Sequence, residues 1–458
     1  MAWKSEVEGY GAAATGLDLT LQLAEYLSAA VPDRLPAEVI AETRRGLVDW
    51  LGCALAGSTM PGPGVLLRTL KANGVGPAVV IGGEDRLSAL DAALVNGTAG
   101  HVLDFDDTHM GGVILHGSSP ILAALLALSA MGRVSGRDLA LAYALGFDAG
   151  VRVGQAAPCH HDGGWHLTGT LGTIAAAVAA GKILGLDGGQ MSHALALAAT
   201  QAAGMQQNRG TMAKSFHAGR AASNGLLAAQ LAVNGFDGSA EILEGRRGFI
   251  RIYSSEARPE ALVDGLGTRW EILGNGHKPH ACGVVLHPAI DAMIALRGQV
   301  ADTSRVVNVA LTVNPAAVRI TGVVAPETGL KSKFSLTHAA AVSFLDAAGG
   351  VAQFGNDRAA SGDVAAFAAR IAVTTDPELG RDQARAEVVL ADGSVVRHSV
   401  EHATGTIGNP MSDAAITAKF MANAAPVLGE ARAREVAAMA WEIDGLADIS
   451  ELTAHLGA

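Results

Sequence analysis

Apolar residues recur at helical spacing through most of the first 270 positions. Residues 19–30 form one such stretch, with Asp18 placed to cap it. Pro36 opens a second, where proline is tolerated. Ile40, Leu47, Val48, Leu51 and Leu55 share one face of it, away from Glu42, Arg44 and Arg45. Gly57 and the Pro-Gly-Pro-Gly run at 61–64 read as its stop. Helical patterns follow at 65–72, 88–95, 121–131, 136–155, 168–184, 188–203 and 217–233, with a short extended piece at 78–81. Residues 1–17 read as a loose lead-in.

The pattern changes after about residue 273. Residues 307–313 and 371–374 are strand-like, and 335–347 is helical. Residues 384–390 and 394–400 alternate and are joined through Asp392-Gly393, a strong hairpin signal. Helical patterns return at 411–423 and 432–441. The expected architecture is mainly α: a large all-helical domain (1–273), a smaller α+β lid domain (274–405), and C-terminal helices (406–458) returning to the helical domain.

Composition narrows this picture. At 458 residues the chain exceeds one small core, so two domains are expected. Hydrophobic residues make up 49% and charged residues 17%, which suits closely packed helices partly covered by a second subunit. The longest apolar run, 121–131, is too short for a membrane span of ~20 residues, and the first residues show no signal-peptide pattern. Cys53, Cys159 and Cys282 are odd in number and scattered, so no disulfide framework is expected and a reducing cytoplasm is the simplest setting. A net charge of -11 without a basic run argues against nucleic acid, but permits a local basic pocket for a small anion.

The candidate chemistry is concentrated. Eleven of the 15 histidines lie between 101 and 287. Four polar clusters sit between apolar helices: 96–109 followed by His116; Cys159 to Thr170; Asn208 to Arg220; and Gly274 to Cys282 followed by His287. Buried charges need partners or a ligand. Arg209, Lys214, Arg220 and Lys278 supply fixed positive charge, while carboxylates and histidines supply proton transfer. Such a set suits a di- or tricarboxylate and a proton moved next to one of its carboxylates. Asp106 and Asp107 read as scaffold, His101 and His287 as packed core histidines. His160 and His161 beside Cys159 lack metal-ligand spacing, so no metal is expected.

With these motifs in view, the chain resembles the MmgE/PrpD family over nearly its whole length. The resemblance rests on 49–57 (Asp-Trp-Leu-Gly-Cys-Ala-Leu-Ala-Gly), 96–108, Trp165-His166-Leu167-Thr168-Gly169-Thr170, 210–225, 278–291, Lys333-Phe334-Ser335-Leu336 and 409–420. It implies a helical domain with an α+β lid, a site in the cleft between them, and a homodimer without metal or organic cofactor. By the same resemblance, Asp104, Thr108, His116, His166 and Lys214 correspond to site residues of the decarboxylase branch. A further histidine of that branch aligns with Gly283. Arg209, Lys278, His277 and His280 are the expected substrate-binding set. His166 or Asp104 would take a proton from carbon, and His116 would act as the second acid. The expected function is a cofactor-independent lyase resembling 2-methylcitrate dehydratase. The alternatives are an iminodisuccinate-type epimerase, a cis-aconitate decarboxylase-like enzyme, or a non-catalytic polycarboxylate binder. The last predicts loss of the charged site, and Asp104, His166 and Lys214 are all present.

Overall fold

The structure is a computed structural model that describes residues 18–457; the lead-in at 1–17 lies outside the described residues. Thirteen longer helices organise it: α1 Leu19–Ala29, α2 Ala37–Ser58, α3 Pro61–Leu70, α4 Ala89–Val102, α5 Ser118–Leu128, α6 Gly136–Ala156, α7 Leu167–Ile183, α8 Gly188–Ala199, α9 Met212–Val233, α10 His287–Arg297, α11 Leu336–Asp346, α12 Asp413–Leu428 and α13 Glu430–Trp441. Several start where a side chain accepts an otherwise orphaned N–H. Ser88, Ser135 and Ser412 do so for α4, α6 and α12, and Asp187 forms a capping box with Gln190 for α8. Asp18 does not: it adopts φ 45° and its side chain makes no capping bond.

Two other boundary expectations are corrected. Gly57 stays inside α2, and Pro61 does more than follow its stop: it opens α3 as the first residue. The polar run at 96–102 does not follow a helix; it is the second half of α4, which is buried on all sides. Small residues make that burial possible. A Cβ added to Gly219 of α9 would overlap the Leu94 carbonyl oxygen, and one on Gly57 would overlap that of Ala99. Backbone is therefore packed against backbone around α4.

One hydrophobic core joins α1–α9 to Met411, Ile416, Phe420, Val436 and Ala440 of the C-terminal segment. A second is built from α10, α11 and a four-stranded sheet, and reaches Val102, Leu103 and Phe105. The sheet contains β5 Val306–Val313, β6 Ile371–Thr375, β7 Ala384–Leu390 and β8 Val395–Val400, in the order β6-β5-β7-β8. β5 and β6 are parallel, whereas β5–β7 and the hairpin β7–β8 are antiparallel. Gly393 takes the positive φ that the hairpin turn requires. Four two-residue strands complete the set: β1 Ala78–Val79 pairs with β2 Arg86–Leu87, and β3 Thr108–His109 with β4 Asn275–Gly276. The second pair stitches the turn after α4, through Thr108, to Gly276 in the chain entering the lid.

Candidate active site

The site begins where α4 ends. Asp104 closes the helix in the left-handed region, φ 51°, with its N–H donating to the His101 carbonyl at 3.1 Å. Left-handed backbone is disfavoured for a residue with a Cβ. Here Lys278 braces it, donating from Nζ both to Oδ1 (2.7 Å) and to the carbonyl of Asp104 (3.0 Å). Lys214, in the first turn of α9, reaches Oδ2 at 3.2 Å. Burial raises the Asp104 carboxyl, but Lys214 and Lys278 outweigh it and hold it well below the usual carboxylate range. Burial lowers the Lys214 ammonium and Asp104 opposes that fall.

Lys214 Nζ also lies 3.0 Å from Nε2 of His101. An ammonium donates, so Nε2 accepts and the His101 proton sits on Nδ1, 2.9 Å from Asp106 Oδ2. Asp106 further accepts from Ser119 Oγ at 2.9 Å, and Ser119 from Trp50 Nε1 at 2.9 Å. A buried chain Trp50–Ser119–Asp106–His101–Lys214–Asp104–Lys278 thus runs through the site. His101 reads from sequence as packed core; the structure places it in this chain, between Asp106 and Lys214. Its spacing from Asp106 signals nothing until α4 ends at Val102 and the turn after it folds the carboxylate back.

His116 follows the turn. Its Nδ1 is 2.8 Å from the Asp107 carbonyl and 3.0 Å from Thr108 Oγ1. A carbonyl only accepts, so Nδ1 carries the proton and Nε2 the lone pair. Burial first, then Lys278, hold His116 well below the ordinary imidazole value, so it is neutral. That tautomer corrects the expectation of His116 as the acid: its free nitrogen is a base, and Lys214 is the protonated group nearby. His166 precedes α7. Its Nδ1 faces Nδ1 of His217 at 3.0 Å, while Nε2 is buried without a partner. Burial, then Lys214, hold its pKa far down. The two rings share one proton. With it on His166 Nδ1, Nε2 is a base; with it on His217, Nε2 is a donor.

Asp104, His116, His166, Arg209, Lys214 and Lys278 line one small pocket, together with His161, Gly283 and Phe334. Thr108 is not on its wall; its Oγ1 contacts His116 behind it. Arg209 Nη2 lies 3.3 Å from His161 Nε2. The lid supplies Gly283, Val284, Val285, Ile320 and Phe334, so the pocket lies between the two cores.

Two expected substrate-binding residues are elsewhere. His277 faces Glu42 (2.8 Å) and Asp49 (3.6 Å), and His280 faces Asp291 (2.7 Å). Neither lines the pocket; each faces carboxylates of its own. Burial lowers His277, but Glu42 and Asp49 raise it further, to about 10. His287 stacks edge-on against His280 in the second core. Among the described residues, His101, Asp106 and His116 have metal-ligand spacing, and both Nδ1 atoms there face hydrogen-bond acceptors. No helix among the described residues is long and apolar enough to cross a membrane.

A fold of two such cores with a cationic, histidine-bearing pocket between them defines an enzyme class. The MmgE/PrpD N-terminal domain matches residues 21–262 and the MmgE/PrpD C-terminal domain residues 280–444. This chain belongs to the MmgE/PrpD family, and it is an enzyme of the lyase type. It is 28% identical to a cis-aconitate decarboxylase of Aspergillus terreus over 95% of both chains. The mouse cis-aconitate decarboxylase is 28% identical over 80% of this chain and 78% of its own length. The human cis-aconitate decarboxylase is 33% identical over 48% of this chain and 47% of its own.

Proposed function

We propose that this protein is a hydro-lyase of a di- or tricarboxylate, similar in kind to 2-methylcitrate dehydratase, working without a cofactor. The observation that carries the reading is the unpartnered Nε2 of His166, buried in a pocket whose other polar groups are the cations Arg209, Lys214 and Lys278, the Asp104 carboxylate they outnumber, and the imidazoles of His116 and His161. Lys214, Lys278 and Arg209 hold the carboxylates. His166 takes the proton from the carbon next to one of them, and the electron pair left behind is stabilised by those cations. It then forms the double bond as the C–O bond to a β-hydroxyl breaks, and Lys214 gives that hydroxyl a proton, releasing water. Asp104 and the Asp106–His101 pair hold the Lys214 ammonium in place, and the proton that His166 took from carbon replaces the one Lys214 gave to the leaving hydroxyl.

The relatives' names favour a second reading, decarboxylation of cis-aconitate. Gly283 weighs against it, since a pocket position occupied by histidine in the resembling branch carries no side chain here. A Cβ at 283 has room, with its nearest neighbour 3.5 Å away, so the absent imidazole is a feature of sequence and not of space. Incubation with citrate, 2-methylcitrate and cis-aconitate in deuterated water, followed by NMR, tests both readings. Water loss with a new alkene supports the hydro-lyase. Carbon dioxide release without water loss overturns it in favour of decarboxylation. Deuterium at carbon with inverted configuration and no loss of mass would instead establish epimerisation.

A further inference from the structure

The pocket adjoins two outer chambers through shared walls. It shares Ile114, His161 and Ile320 with one outer chamber, and Ile114, Val284 and Val285 with another; Arg381 lines both outer chambers. Arg258 and Arg319 line the first as well. Arg258 belongs to the helical part of the chain, and Arg319 and Arg381 to the lid, so the guanidiniums stand on both sides of the cleft mouth.

The chain carries a net charge of -11, and some of its exposed arginines are paired with carboxylates, as Arg305 is with Asp392 and Arg397 with Glu387. Arg319 and Arg381 have no hydrogen-bond or ion-pair partner among the described residues. Arg258 has only a 3.4 Å contact to the exposed Glu256. Asp162 and Asp382 also line the chambers, yet Asp382 is taken by His402 at 2.7 Å, and Asp162 stands 3.9 Å from His161. Arg381 is close enough to His161 to disfavour its protonation, after burial and Arg209. The outer charge therefore reaches the inner pocket wall.

Charge balance says what such a place would take. Inside, Lys214, Lys278 and Arg209 stand against Asp104, and the imidazoles are neutral. Two substrate carboxylates neutralise that excess, and a third has no partner within. We infer that Arg319 and Arg381, with Arg258 opposite them, form an outer anion subsite that receives the third carboxylate of a tricarboxylate substrate. This rests on the polycarboxylate reading of the inner pocket. Because the arginines come from both domains, an anion held there also draws the lid towards the helical domain.

The test is calorimetric titration of tricarballylate, a tricarboxylate with no hydroxyl to lose, and of succinate. Both are titrated into the full-length protein and its Arg319→Ala/Arg381→Ala variant. Both residues are exposed, so the variant folds. The wild type should bind tricarballylate at least tenfold more tightly than succinate. The variant should lose that preference while its succinate affinity stays within about twofold, and Arg319→Lys/Arg381→Lys should regain part of it. An unchanged preference in the alanine variant overturns the subsite while leaving the inner pocket standing. Equal wild-type affinity for the two acids overturns it too. No binding of either acid to the wild type overturns the polycarboxylate reading, and the subsite with it.

Discussion

Lys214 touches Asp104 and His101 at once, and no neighbouring cation duplicates both contacts. Lys214→Ala should lower kcat/KM by at least about 10²–10³-fold, the scale for removing one charge-stabilising donor. Asp104 keeps Lys278, so circular dichroism should show an intact fold. Near-normal kcat/KM in a folded Lys214→Ala protein sinks the assignment. His101→Gln should act differently from a packing defect. It breaks the link between Asp106 and Lys214, so kcat should fall with KM little changed, and the alkaline limb of the pH–rate profile should move. A structural defect would lower the active fraction without moving that limb. His116 and His166 are held well below the ordinary imidazole value. As bases they stay ready in mild acid, so the acid limb of kcat/KM belongs well below pH 6.5.

Elements carry the next level. α4 and α9 meet through Gly97 and Gly219, and α9 carries Lys214 in its first turn. Gly219→Ala must push α9 off α4 and should destabilise the protein by about 1–3 kcal/mol, read as a lower urea midpoint at unchanged slope. A second elemental joint is ionic. Lys419 of α12 contacts Asp49 of α2 at 2.6 Å and the Phe105 carbonyl at 2.7 Å, while His277, at the start of the lid, bridges Glu42 and Asp49. His277 is raised in the folded state to about 10 against an ordinary 6.5. Its stabilisation is therefore complete below about pH 6.5 and is lost as pH rises towards 10. The melting temperature should fall over that window. His277→Gln should remove this alkaline component; an unchanged slope in the variant would show that the joint lies elsewhere.

For the molecule as a whole, the pocket is lined from both cores. A polycarboxylate bound between them binds only the folded state. It should raise the melting temperature in proportion to the logarithm of its concentration above Kd. The homodimer implied by resemblance predicts a sedimenting mass of twice 46.4 kDa. A monomer at micromolar concentration would remove that expectation. The mainly helical class with an α+β part was legible because it rests on local periodicity: 3.6 in α2 and α6, and alternation with Asp392-Gly393 in β7–β8. The end of α4 was less so, because a helix buried on all sides has no polar face to mark its length.

Sequence alone determined the fold class, the family resemblance and a short roster of charged residues, because each depends on the order of residues and on local spacing. It did not determine which of those residues meet. Asp104, Lys214 and Lys278 are separated by 110 and 174 positions from first to each partner, and only packing joins them. Tertiary structure placed His101 between Asp106 and Lys214, and His277 and His280 against their own carboxylates. It also gave His116 the tautomer of a base. The reason is the same in each case: an imidazole or carboxylate takes its role from the atom it faces, and that atom is set by the close approach of helices distant in sequence.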